Sequence, residues 1–320
     1  MTTEEPSANS IVESLLDLGD RLLRAGLPSV SECPRTLYHF TDASGVIGII
    51  ENHALRASRA RCMNDAGEVR YALALARTYL EDRLRDARDQ PFRRAFRERA
   101  LHFLNPENVD PRVRVLFDPF VVSLCPSADE GSHWLNYGRG GNGYALGFHG
   151  DQIKMPAVDP VRVIYDREEQ MRMIASIVEE LEEKFLSLAH GREANIQART
   201  REAAAHVLAD TIWAKAAWMK DPAFATEREW RLISMDIQGS KIPKDIGTPV
   251  SMEFRSQENR IVPYLVIDYA RFGSGKLPLA SITVGSRVDL QIATQSLRHL
   301  LRKKEYDESL PIVSSGVPLQ

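Results

Sequence analysis

Strand-forming runs fall into two blocks in this chain, separated by helix-forming sequence over residues 167–219. The first block holds TLYHFTD (36–42), FVVSLC (120–125), GYALGF (143–148) and VRVIYD (161–166). The second holds EWRLIS (229–234), SMEFR, RIVPYLVIDY, SITVG and a terminal PIVSS. Their β-branched and aromatic content is that of strands packing on a core. FVVSLC is a nearly continuous apolar run, the pattern of a strand buried on both faces. Strands in such blocks, with no regular βαβ alternation, predict an α+β fold rather than a doubly wound sheet.

The remaining segments read as helices and their caps. Residues 1–9 are expected to be disordered. Ser10 and Glu13 have the spacing of a capping box, and Ile11, Leu15, Leu18 and Leu22 give a helical stripe ending near Gly26. This helix is expected to pack on the main domain as an appendage. GVIGIIEN follows the first strand as a short helix capped by Asp42 or Ser44. Asp65 and Glu68 suggest a second capping box, and an Arg- and Phe-rich helix is expected over 91–104. A helix from Asp289 to Lys304 precedes the last strand. The organisation expected is a tail and helix over 1–34, then one domain over 35–317 with a helical insertion at 167–219.

Bulk properties exclude several classes. At 320 residues with 43% hydrophobic and 27% charged content, the chain can bury a sizeable core. A net charge of −3 gives no global basic field, though a local basic groove is compatible with it. Cys33, Cys62 and Cys125 are odd in number and widely spaced, which suits a reducing cytoplasm and offers no disulfide framework. The amino terminus MTTEEPSANS is acidic where a signal peptide would be basic and then apolar, and no run reaches a membrane span. The expected location is cytoplasmic, without a membrane partner.

Several constellations carry potential chemistry. If DPAFATEREWRLIS runs as a strand up to Ser234, alternation places Glu227, Glu229 and Arg231 on one face. The two carboxylates would lie roughly 6.8 Å apart along the strand, within reach of one small ligand. The plain alternative is a solvated edge carrying a Glu–Arg pair. His39, between Tyr38 and Phe40, reads as a structural hydrogen-bonding residue or as a partner for a sugar hydroxyl. Trp134 and Tyr137 are three apart, so on a helical turn they share a face and could clamp a planar ring. The GRGGNG that follows permits tight turns and close approach of a ligand. Arg59, Arg61, Asn64, Asp65 and Glu68 could hold a phosphate near a helix start, or serve as caps and surface pairs. GRGGNG is neither a P-loop nor a dinucleotide fingerprint, no GxSxG occurs, and His133 and His149 lack metal-ligand spacing.

Taken in order, LYHFTD, MNDAGE, FVVSLC, WLNYGRGGNGYALGF and DPAFATEREWRL resemble an uncharacterised bacterial domain family with an ADP-ribosyltransferase-like fold. The resemblance continues through RIVPYLVIDY, SITVGS and PIVSSGVP, so it spans roughly 35–317. It implies a split, mixed β-sheet with peripheral helices that binds NAD, as substrate, in a cleft. It implies that His39 contacts the adenosine-side ribose and that Tyr137 or Trp134 stacks on nicotinamide. Glu229 would be the catalytic glutamate and Glu227 its E-x-E companion. Ser123 would stand on the serine-bearing strand, although the full Ser-Thr-Ser motif is absent. Arg59 joins this set as a candidate cofactor-binding residue. Such proteins often act in conflict, as toxins or phage-defence effectors.

The expected activity is transfer of ADP-ribose from NAD to an unidentified protein or nucleic-acid acceptor, or NAD hydrolysis. A non-catalytic module that binds a nucleotide or protein is the second reading. The third is a nucleic-acid-modifying enzyme in which Arg59, Arg61, Arg93, Arg94 and Arg97 steer a backbone.

Overall fold

The computed structural model describes residues 8–25, 32–62, 67–86, 90–105, 107–108, 119–154, 160–235, 250–257, 259–271 and 275–319. Apart from Ala8 and Asn9, which open a helix, the tail expected to be disordered lies outside them. So do Asn64, Asp65 and the side chain of Arg61.

Two sheets organise the chain as an α+β fold. The first has the order β1 (Thr36–Thr41), β4 (Tyr144–His149), β9 (Leu279–Val284), β10 (Ile312–Ser314). β1, β4 and β9 pair antiparallel, whereas β10 joins β9 in parallel, so this sheet is mixed. The second sheet is antiparallel throughout. Its order is β5 (Val161–Arg162), β6 (Trp230–Met235), β3 (Pro119–Leu124), β2 (Ala54–Arg59), β8 (Arg260–Asp268), β7 (Val250–Gln257). β3 takes the interior place that its apolar run implies. Phe120, Val122 and Leu124 enter a core between the sheets, and Val121 packs on the other face with Ile233, Ala217 and Trp218. Among the described residues one rung joins the sheets: Tyr38 and Cys125 exchange backbone hydrogen bonds of 2.8 and 2.9 Å.

The core between the sheets is closed by α2 (Ala43–Asn52) and α8 (Leu290–Lys303), through Val46, Ile49, Ile50, Ala293, Leu297 and Leu301. Asp42 caps α2, its carboxylate accepting the Gly45 amide at 2.8 Å. Asp42→Ala is expected to lower stability by about 1 kcal/mol in urea unfolding, the usual worth of such a cap.

A separate helical layer is built from α1 (Ala8–Arg24), α3 (Gly67–Asp86), α4 (Pro91–Leu104), α6 (Arg167–Ala189) and α7 (Ala194–Lys215). The short α5 (Gly131–Asn136) lies outside this layer. The stripe Ile11, Leu15, Leu18 and Leu22 is buried in the layer, as its period predicts. α1 starts at Ala8, however, so Ser10 sits in its first turn and is not the cap. The insertion helices α6 and α7 contribute much of the same apolar cluster. They also neutralise α4: Glu182, 2% exposed, pairs with Arg97 at 2.7 Å and with Arg93 at 2.8 Å. Arg93 also pairs with Glu183, and Arg94 with Glu98. These arginines are engaged in ion pairs within the helical layer and present no free row of charge to a nucleic-acid backbone.

Candidate charged site at the sheet junction

The segment around Glu227 does not run as a strand. Asp221 caps a 3₁₀ turn over Pro222–Glu227, its carboxylate accepting the Ala223 amide at 2.9 Å, and Pro222 supplies the fixed φ of a first turn. Arg228 then adopts a left-handed conformation with φ 44°. β6 begins only at Trp230. The expected alternation of Glu227, Glu229 and Arg231 is therefore broken by one residue, yet all three side chains still converge.

They converge because two buried cations draw them together. Arg231, 1% exposed, grips Glu229 through Nε at 2.9 Å and Nη2 at 2.7 Å. It also grips Glu68, in the first turn of α3, with two contacts of 2.8 Å, and donates to the Ala217 carbonyl at 2.8 Å. Lys220, 4% exposed, lies 2.6 Å from Glu227, 3.2 Å from Glu68 and 3.5 Å from Glu229. Three carboxylates against two cations leave one net negative charge in a nearly dry site.

Burial acts to raise the pKa of Glu229. The Arg231 charge and hydrogen bonds, then Lys220 and the neighbouring Ser123 hydroxyl, outweigh it and hold the carboxyl at about 2. Burial likewise opposes the charge on Lys220 and Arg231, but the surrounding carboxylates raise both pKa values. Glu229 is fixed at its backbone too, its amide donating to the Tyr165 hydroxyl at 3.0 Å and its carbonyl accepting from Val163 at 2.9 Å.

Lys220 reaches the cluster through its own scaffold. Its amide donates to Ile164 at 3.1 Å, and its carbonyl accepts from Gln170, a fully buried side chain of α6. Neither Lys220 nor Glu68 stood out in the sequence as a member of this constellation. The available signal was a lysine ending the apolar run AAWM over 216–219, a position where a charge must find partners. Glu68 carried no such signal, because an acid in a first helical turn is ordinarily explained by the helix dipole.

Tyr137 brings an aromatic ring to the same point. It caps α5 and donates its hydroxyl to Glu227 at 3.2 Å, and it is 38% exposed. Burial, then the charge of Glu227, pushes its pKa up to about 12. One neighbour is the His133 ring, 5.9 Å away, which itself stacks on Phe40 at 5.3 Å. Trp134 does not share this position. It is fully buried, edge-on to Phe40 at 4.8 Å, in a cluster with Cys125 and Ala145. The helix ends at Asn136, and Tyr137 at its C-cap has left helical geometry with φ −123°, so the three-residue spacing no longer sets it beside Trp134. The two rings therefore do not form the expected clamp.

The glycines of GRGGNG pack the loop against its own protein. A Cβ on Gly143 would come within 2.5 Å of the Thr41 carbonyl, and one on Gly138 within 2.4 Å of the Trp134 ring. Gly140 and Gly141 take positive φ of 62° and 87°.

His39 and Ser123 stand on the two lips where the sheets part. His39 follows the bridging Tyr38, and its Nδ1 lies 2.9 Å from the Ser123 carbonyl. A carbonyl only accepts, so Nδ1 carries the proton and Nε2 is the acceptor. Burial lowers the His39 pKa, partly offset by the Ser123 carbonyl, so the ring is neutral near pH 7. Ser123 pairs directly with Arg231 across the β3–β6 ladder and shares its face. Arg59 does not join them. It pairs with Phe120, which places it on the opposite face of the sheet from Ser58, Val121 and Ser123.

Fold and site together define an α+β protein with a buried charged cluster beside the junction of two sheets. Residues 133–232 match the model of a family described as a protein of unknown function (DUF2971). That stretch holds Tyr137, Lys220, Glu227, Glu229 and Arg231, while His39, Glu68 and Ser123 lie outside it. No curated protein and no solved structure matches the chain. Among the described residues, no helix is long and apolar enough to cross a membrane, and no group of three or more His, Cys, Asp or Glu residues could hold a metal ion.

Proposed function

We propose that this chain cleaves NAD and transfers its ADP-ribosyl group to a macromolecular acceptor, on an ADP-ribosyltransferase-like split sheet. The observation that carries the reading is Glu229, buried and gripped by Arg231 and Lys220 beside the parting of the two sheets. His39 stands there on one lip and Ser123 on the other, and Tyr137 lies over Glu227. Breaking the bond between ribose C1′ and the nicotinamide nitrogen sends the electron pair to nicotinamide and leaves an oxocarbenium-like sugar. A fixed negative charge stabilises that cation, as in glycoside cleavage. Glu229 cannot serve as an acid at pH 7, which suits this electrostatic role. Glu227 would accept the proton of the attacking acceptor, or of water in plain hydrolysis. The exposed side of Tyr137 offers a stacking surface to a planar ring, and Nε2 of His39 accepts a ribose hydroxyl.

A non-catalytic nucleotide- or protein-binding module is favoured by one feature: each carboxylate of the cluster already holds a cation. An NAD-consumption assay separates the two. The purified protein is expected to release nicotinamide, with Tyr137→Ala and Glu227→Gln each reducing turnover by about 10²-fold while circular dichroism is unchanged. NAD binding without turnover, across protein, DNA and RNA acceptors, would establish the module instead.

A further inference from the structure

One face of the second sheet carries a row of arginines beyond the helical layer. On β8, Arg260, Val262, Tyr264 and Val266 share a face, and the ladder partners Arg255, Glu253, Ser58 and Arg56 share it with them. Arg56 and Arg260 are exposed and Arg255 is half-buried. Arg56 lies over the Tyr264 ring, 5.1 Å from its centre, and Arg255 donates to the Ser58 hydroxyl at 3.0 Å. The one carboxylate of the row, Glu253, accepts the Tyr264 hydroxyl at 2.8 Å. Burial and then the charge of Arg56 lower the pKa of Arg255, so the two guanidiniums repel one another. Arg56 shares its face with Ser58, whose β3 partner is Val121, so the row lies on the face that Ser123 shares with Arg231.

We propose that Arg56, Arg255 and Arg260 bind the phosphodiester backbone of a single-stranded nucleic acid, and that this strand supplies the acceptor. Arg260 is the diagonal neighbour of Arg255 on the ladder, about 7–8 Å away, and Arg56 extends the row toward the junction. A row of this kind engages successive phosphates rather than a single anion. All three cations are arginines, whose planar forks match phosphate oxygens in pairs. Val262, Tyr264 and Ser58 are buried between them, so the three guanidiniums are unevenly spaced, and a flexible single strand can follow such spacing where a rigid duplex cannot. The role of the strand as acceptor rests on the transferase reading, but its binding does not.

The test is fluorescence anisotropy of the full chain with labelled oligo-dT and oligo-U of about 10 nucleotides, from about 50 to 200 mM salt. Affinity is expected to fall linearly on a log–log plot. Each of Arg56→Gln, Arg255→Gln and Arg260→Gln is expected to weaken binding by about tenfold and to lower the slope by about 0.7. Absence of binding at the lowest salt overturns the proposal, as does unchanged binding in the triple variant. Calorimetry with NAD is the second arm. If the triple variant loses NAD affinity and the oligonucleotides never bind, the arginines serve a dinucleotide diphosphate and the nucleic-acid proposal fails. The oligonucleotide titration contains no NAD, so its result and that of the turnover assay are read independently.

Discussion

Arg231→Met is expected to lower the unfolding free energy by about 3–5 kcal/mol, the cost of breaking a buried pair from one side. The guanidinium is enclosed by Glu68, Glu229 and the Ala217 carbonyl, all within 3 Å, and has almost no access to water. Methionine fills much of the volume but leaves Glu68 and Glu229 buried with Lys220 as their remaining cation. Urea unfolding followed by circular dichroism measures the loss. Adding Glu229→Gln to Arg231→Met is expected to recover part of it, because one stranded charge is then removed. A loss below about 1 kcal/mol in the single variant, the range of exposed ion pairs, would mean that Arg231 does not hold the junction together.

Glu229→Gln is expected to reduce NAD turnover by about 10²–10³-fold, the usual effect of removing one electrostatic group aimed at a developing charge. It should also change how the protein responds to acid. In the native state Glu229 titrates at about 2, below the ordinary carboxyl value of 4.5, which it regains on unfolding. The unfolded state therefore binds more protons between these values. The stabilisation is fully present above about pH 4.5 and is lost as pH falls toward 2, by about 3 kcal/mol in total. Wild type should lose more stability over this window than Glu229→Gln. A turnover profile whose acid limb lies at pH 5–7 would belong to a group other than Glu229. Equal acid sensitivity of the two proteins would show that the carboxyl is not held ionised as the geometry requires.

Local pattern was enough for most elements. TLYHFT, FVVSLC, GYALGF, EWRLIS and RIVPYLVIDY all became strands close to their expected limits, and the helix expected over 91–104 spans Pro91–Leu104. Periodicity and capping operate within a few residues, so they can be read along a chain. The exceptions follow from non-local pairing. VRVIYD pairs with β6 only at Val161–Arg162, because the chain then turns to meet Glu229 and Met219. Within DPAFATEREWRLIS, the left-handed Arg228 decided the geometry around Glu227, and no strand period reveals it.

The amino-acid sequence by itself determined the two blocks of strands, the helical segment between them, and Glu227, Glu229 and Tyr137 as residues worth watching. Each is a property of short stretches, where side-chain spacing and backbone preference act directly. Only the tertiary structure decided that Lys220 and Glu68 complete the cluster, that Trp134 belongs to the core, and that Arg59 faces away from Ser123. Glu68 and Arg231 are 163 positions apart in the chain, and no local preference records that they share one guanidinium. The desolvation of buried charge made that meeting necessary: five ionised groups taken out of water are stable only where folding brings them to one another.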